Sequence, residues 1–245
     1  RSFSITVQNI APSDHFNTSI YNGSGASQSI TTGFAPDFTW IKSRSNGTWH
    51  CVADTVRGNL SRIFPNDTYQ QVTNNNGFLS FDSNGFNLDG QGGGGDVNTS
   101  GRTYVAWSLK AGGAAVANTD GIISTQVSAN TTLGFSVITY DGATNATADT
   151  SNNSGTYWNV AHGLGATPDL VLVKKTSGAG GWYVGGAALS STGSNGNHLA
   201  LNTTAAQVGE ANILWGGSQT FNATTFGLGG WDVVNRNGDS YLAYC

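Results

Sequence analysis

Short runs in which apolar and polar residues alternate recur along this chain, broken every few positions by glycine or asparagine. Alternation with a period of two places successive side chains on opposite faces, so such runs predict half-buried β-strands. Phe16-Asn17-Thr18-Ser19-Ile20-Tyr21 ends on Asn22-Gly23, and Phe135-Ser136-Val137-Ile138-Thr139-Tyr140 ends on Asp141-Gly142. Both read as a strand followed by a hairpin turn. Asn46-Gly47, Asn76-Gly77, Asn84-Gly85, Asp89-Gly90 and Asn237-Gly238 are further turn dipeptides.

The same pattern occurs twice. Pro36-Asp37-Phe38-Thr39-Trp40-Ile41-Lys42 matches Pro168-Asp169-Leu170-Val171-Leu172-Val173-Lys174, and each follows a glycine turn. In both, the run reads as a buried strand, and Lys42 and Lys174 mark where it leaves the core. Phe86-Asn87-Leu88 matches Phe226-Gly227-Leu228. The closing strands share the pattern V-N-x-x-G-x-x-Y-x-A-aromatic, from Val97 to Trp107 and from Val234 to Tyr244. Within them Tyr104 alternates with Ala106, and Tyr241 with Ala243. Anchors in one order at nearly one spacing identify an internal repeat. The division that follows is an N-terminal arm over 1–13, a first repeat over 14–110, a linker over 111–132 and a second repeat over 133–245. Within the linker, 122–127 reads as a joining strand. Frequent turns between short strands predict an all-β fold of two tandem β-sandwich repeats, jelly-roll in type.

Composition narrows the classes. Only 10% of residues are charged and Glu occurs once, at Glu210, so the surface must be built from Ser, Thr, Asn and Gly. A chain without Met and poor in Lys and Glu has little material for long helices. The formal net charge is −4, and no basic cluster is dense enough to neutralise many phosphates. Nucleic acid is therefore not an expected partner, and neither is membrane insertion, because no apolar run reaches the roughly 18 residues of a spanning helix. With no initiator Met and no signal peptide, Arg1 is expected to follow a missing or processed segment.

Chemistry-bearing residues are few. Asp82-Ser83-Asn84-Gly85 with Asp89 faintly resembles a calcium loop, but the bidentate Glu of such loops is absent and hairpin turns explain the acids. His15, His50, His162 and His198 show no metal-ligand spacing. His50-Cys51 is an adjacent pair, and neighbours on a strand point to opposite faces. Paired carboxylates suited to glycoside cleavage are lacking, as is a G-x-S-x-G elbow. No catalytic residue, metal or cofactor is expected, and the chain reads as a non-enzyme. Cys51 and Cys245 are a candidate disulfide between the first repeat and the end of the second, with two buried free thiols as the alternative.

Aromatic residues offer a contact surface. Trp158, Trp182, Trp215 and Trp231 fall in the second repeat. Flat amphipathic rings suit both sugar stacking and protein interfaces, with core packing as the plainer role. Trp40 and Trp107 lie in strands common to both repeats and are read as core. Trp182, Tyr183 and Trp215 lie in divergent, glycine-rich stretches, and are the candidate carbohydrate or partner contacts.

Several strings carry a resemblance: D-H-F-N-T-S-I-Y-N-G, F-A-P-D-F-T-W-I-K, S-F-D-S-N-G-F-N-L, T-Y-V-A-W-S-L-K-A-G-G, N-T-D-G-I-I-S-T-Q-V-S-A-N-T, H-G-L-G-A-T-P-D-L-V-L-V-K and S-Y-L-A-Y-C. As a set, from Asp14 to Cys245, they resemble a family of repeat proteins encoded by marine and cyanobacterial bacteriophages, described as tail-fibre-like or other virion structural proteins. The resemblance implies concanavalin-like β-sandwich modules built into an appendage or displayed on a particle, and no catalytic residue. Expected partners are other virion proteins, further copies of the chain in a homo-oligomer, and a host surface glycan, with the chain on the virion surface. Capsid decoration and a free-standing lectin-like module are the alternatives. Members of that family often continue past the Tyr-Cys string, which leaves open a longer polypeptide.

Overall fold

The structure is a computed structural model, and it describes residues 11–74, 76–90, 96–144, 157–189, 197–209, 214–216 and 221–245. Most of the N-terminal arm, the glycine run from Gly92 to Gly95 and Glu210 lie outside the described residues. Among the described residues the fold is all-β, with two single-turn 3-10 segments at Pro12–Asp14 and Ala187–Leu189.

Nine strands belong to the first half: β1 (Phe16–Asn22), β2 (Gln28–Thr31), β3 (Phe38–Ser43), β4 (Cys51–Asp54), β5 (Ser61–Ile63), β6 (Val72–Thr73), β7 (Phe78–Asp82), β8 (Gly85–Leu88) and β9 (Thr103–Leu109). Ten follow: β10 (Val116–Asn118), β11 (Thr125–Asn130), β12 (Phe135–Asp141), β13 (Trp158–Ala161), β14 (Val171–Lys175), β15 (Trp182–Gly185), β16 (Asn197–Ala200), β17 (Val208–Gly209), β18 (Thr225–Leu228) and β19 (Ser240–Tyr244). The paired strands form antiparallel sheets. A large sheet runs β1-β9-β3-β4-β5-β6 and a small one β2-β8-β7. The second large sheet runs β10-β11-β12-β19-β14-β15-β16-β17, beside a two-stranded sheet of β13 and β18. From β12 onward this order repeats that of the first large sheet strand for strand, and β13-β18 repeats β2-β8.

The stretch read as a linker is part of the second sheet. β10 and β11 extend it beyond β12, with Val127 opposite Ile138 and Thr125 opposite Tyr140. Val127 and Thr125 are both buried, as the alternation in this stretch requires. The Asn22-Gly23 and Asp141-Gly142 dipeptides are not hairpin turns either. Gly23 N–H donates to the Arg102 carbonyl, and Gly142 N–H to the Asp239 carbonyl, so each prolongs its strand's pairing. A side chain at Gly23 would run into the Thr99 carbonyl, and one at Gly142 into the Arg236 carbonyl. Glycine is required at both places for backbone approach.

Over its central strands each large sheet buries both of its faces. In the first half, Ile41, Ala53, Tyr104 and Ala106 of the large sheet pack on Ile30, Phe78, Phe86 and Leu88 of the small one. In the second, Val127, Ile138, Val171, Val173 and Tyr241 pack on Trp158, Val160, Phe226 and Leu228. The opposite faces of the two large sheets meet each other. Phe38, Val52 and Ile63 from the first pack with Val137, Trp182, Leu242 and Tyr244 from the second. The layers therefore stack small, large, large, small, and the seam between the large sheets is a third core.

Candidate functional site

The seam places the polar chemistry of the molecule. Asp54 closes β4 and is fully buried; Arg57, three residues on, turns back onto it. Arg57 Nε donates to Asp54 Oδ2 at 2.6 Å, and Arg57 N–H to Asp54 Oδ1 at 2.9 Å. The Tyr244 hydroxyl, from the other half of the chain, donates to Asp54 Oδ2 at 2.7 Å and lies 3.3 Å from an Arg57 terminal nitrogen. Burial opposes the Arg57 charge, but the Asp54 carboxylate and the Tyr244 oxygen outweigh it and hold the guanidinium pKa up. Burial drives the Tyr244 pKa well above the ordinary tyrosine value, so its hydroxyl remains a donor. Desolvation offsets much of the attraction within a buried pair of this kind, and the Tyr244 bonds link it to the other half.

Lys174 is also at the seam. Although it was expected where its strand leaves the core, it is fully buried, one position from Val173 of the second core. Its Nζ donates to the Lys175 carbonyl at 2.6 Å. Burial, helped by Lys175, lowers its pKa to about 8.

Beside the Asp54–Arg57–Tyr244 cluster a groove of about 500 Å³ opens between the halves. Arg57 and Gln71 line it from the first half, and Gln126, Thr139, Asp141 and Ser240 from the second. Ser240 Oγ donates to Asp141 Oδ1 at 2.6 Å. The groove presents hydroxyl and amide groups with one carboxylate, Asp141, and one guanidinium, Arg57, which suits hydrogen bonding to a polar ligand. Among the described residues no three His, Cys, Asp or Glu side chains gather as a metal site. A separate cavity of about 240 Å³ within the seam is lined by Phe38, Trp40, Phe135, Leu172, Trp182 and Tyr244.

Two of the three aromatic contact candidates are interior. Trp182 is 1% exposed and Trp215 is fully buried. Trp182 stacks on Tyr244 within the seam, with ring centroids 6.3 Å apart, and its Nε1 donates to the Phe64 carbonyl at 2.9 Å. Trp215 packs against Gly185, where any Cβ would overlap its indole. The glycine-rich setting that suggested a surface contact instead makes room, at Gly185, for a buried ring. Tyr183 is half-buried, between His198 and Trp231 at 5.7 and 5.5 Å.

The two cysteines are free thiols. Cys51 faces the first core and Cys245 packs against the second, so the seam separates them. Burial raises the Cys51 pKa to about 11, against the pull of Arg62 and Arg57, and the Cys245 pKa to about 12. Neither is a thiolate at neutral pH. The acids of the faint calcium loop are held as turn acceptors: Asp82 Oδ1 takes the Asn84 N–H at 2.8 Å, and Asp89 Oδ1 the Gly77 N–H at 2.7 Å. His50 is engaged as well, its Nδ1 accepting from Trp40 Nε1 at 3.2 Å.

One surface feature had no counterpart among the candidates read from sequence. Trp49 and Tyr69 stand 40% and 48% exposed, their ring centroids 5.8 Å apart. The available signal was positional. Trp49 follows the Asn46-Gly47 turn, and strand register puts Gly181 at the equivalent place in the second half.

No curated protein and no solved structure matches the chain. The family model described as "Domain of unknown function (DUF7483)" matches residues 11–245, and the chain belongs to that family.

Proposed function

We propose that this protein is a bacteriophage virion structural protein, a tail-fibre or appendage module on the particle surface. The observation that carries the reading is the seam: two copies of one sheet order joined back to back into a single block through a shared apolar core and the Asp54–Arg57–Tyr244 cluster. A part that must keep its shape outside a cell gains from such a joint. Each half, a large sheet over a small one around its own core, is read here as a concanavalin-like β-sandwich of jelly-roll type. Low charge density supports close packing of many copies, since little like-charge repulsion opposes it. Homo-oligomers and contacts with other virion proteins follow from that reading.

The polar groove between the halves favours a second reading, a lectin-like module acting by itself. Immunogold labelling of purified particles with an antibody against this chain separates the two. Label on tails or fibres is the expected result. Label spread over the head would move the protein to capsid decoration. Particles without label would sink the virion reading and leave the lectin.

A further inference from the structure

We propose that Trp49 and Tyr69 form a binding site for a neutral oligosaccharide. The site deepens the proposed virion-surface role, by naming a host surface glycan as what such a module would touch, and rests on that reading. Of the seven tryptophans, Trp49 alone is exposed; the others are buried or half-buried. Its ring and that of Tyr69 are tilted by 31°. Phe64, fully buried, supports both, at 4.9 Å from Trp49 and 6.5 Å from Tyr69. Large apolar rings left in water lower the free energy only when something covers them.

The rings are held in place before any ligand arrives. The His50 N–H donates to Asn66 Oδ1 at 2.7 Å, which ties the segment carrying Trp49 to the one carrying Tyr69. The Tyr69 N–H donates to Asp67 Oδ1 at 2.8 Å. Three further bonds fasten residues 64–71 to the second half: Trp182 Nε1 to the Phe64 carbonyl at 2.9 Å, Gly180 N–H to the Thr68 carbonyl at 2.8 Å, and Gln71 N–H to the Thr176 carbonyl at 3.2 Å. A surface fixed in this way loses little conformational freedom on binding. Trp182 is thus a positioning residue, set beneath a contact surface formed by other rings.

The surroundings select the ligand. Asn66, Thr68 and Gln70 are exposed beside the rings and Asp67 is half-exposed. Two partly exposed aromatic rings beside amide, hydroxyl and carboxylate groups match a pyranose, whose C–H face is apolar and whose edge carries hydroxyls. A protein partner is better served by a wider apolar patch depleted of such groups at its centre. Low charge across the chain favours a neutral sugar over an anionic one.

The test uses the full chain and three probes, neutral malto-, cello- and chito-oligosaccharides, with binding read by calorimetry and by saturation-transfer NMR of the sugar. At least one probe should bind, with transfer to its ring C–H protons. Trp49→Ala and Tyr69→Ala should each weaken binding about three- to tenfold, the size of one aromatic stacking contribution. Phe16→Ala, at a ring 41% exposed on β1, should leave it unchanged. Unchanged circular dichroism and melting temperature would show that the variants fold. Wild-type protein that binds none of the probes overturns the proposal. So does binding that survives both ring variants but falls with Asp141→Asn in the groove, and so does self-association that Trp49→Ala abolishes. Particle labelling reads the virion placement separately, so labelled particles with a chain that binds no sugar would overturn this site alone.

Discussion

The two halves share a sheet order and place their tryptophans differently. The second half encloses Trp158, Trp182 and Trp215, while the first leaves Trp49 and Tyr69 at the surface over a buried Phe64. Strand register sharpens the contrast. Trp40 pairs with Val52 as Leu172 pairs with Val184, which places Gly181 where Trp49 stands and Trp182 where His50 stands. Ala200, paired with Tyr183, holds the place of Phe64. One half therefore carries an aromatic platform, and the other supplies the ring that braces it. Duplication preserved the strands and left the segments between them free to diverge, which is where binding surfaces arise.

Substitution at Trp215 gives the largest expected effect. Its ring is core, so Trp215→Ala should cost about 3–5 kcal/mol, seen as a lower denaturation midpoint in urea. Gly185→Ala should also destabilise, because its methyl would occupy the space of the indole. An unchanged midpoint for both would break the contrast between the halves. Asp54→Ala strikes the joint between them. It would leave Arg57 charged and buried without its partner, an expected loss of about 3–5 kcal/mol. If the seam couples the halves, they should still unfold together in the wild type, and fluorescence and circular dichroism should trace one transition.

Acid should weaken both halves unequally. Burial lowers the His162 pKa, partly countered by its bond to the Asn222 carbonyl, and burial with Lys42 lowers that of His50. The unfolded chain then binds more protons than the folded one below about pH 6.5, the ordinary histidine value. Stability is complete above that pH and falls as pH drops through each folded value. His162 is fully buried, with Leu164 N–H donating to its Nδ1 at 3.2 Å, whereas His50 is partly exposed. His162→Asn should accordingly flatten the fall in melting temperature between pH 7 and pH 5 more than His50→Asn. The reverse order would place the acid-sensitive part in the first half.

The strands were legible because their alternation is local. Tyr104 and Ala106, with Tyr241 and Ala243, turn inward as their spacing predicts, and the Pro36 and Pro168 anchors introduce β3 and β14. What lies opposite a strand is not local. Phe38-Thr39-Trp40-Ile41 reads as buried on both faces, yet nothing in it says that one face meets a second copy of the sheet. Lys174 was misplaced for that reason: a lysine ordinarily marks solvent, and here the neighbouring sheet covers it. Trp182 and Trp215 were misread through their glycines. A divergent, glycine-rich setting suggests an exposed contact, but Gly185 is a strand residue whose missing side chain is filled by an indole. Trp49 had the opposite fault. It lies outside every strand shared by the repeats, so a search guided by repeated positions passes over it.

The smallest expected effect tests the contrast from the exposed side. A ring that serves a contact and not the core should be removable at little cost, so Trp49→Ala and Tyr69→Ala should each move the stability by no more than about 0.5 kcal/mol, the range of ordinary surface substitutions. Trp182→Phe is the informative companion. It keeps most of the apolar volume in the seam but removes the N–H that reaches the Phe64 carbonyl, for an expected loss of about 1 kcal/mol. The platform should loosen with it, and hydrogen exchange at the Tyr69 and Gln71 amides, one bonded to Asp67 and the other to Thr176, should quicken. Trp49→Ala should leave exchange at those amides as it was. If Trp49→Ala instead destabilised the chain as much as Trp182→Phe, the exposed ring would be part of the packing, and the two halves would differ in degree only.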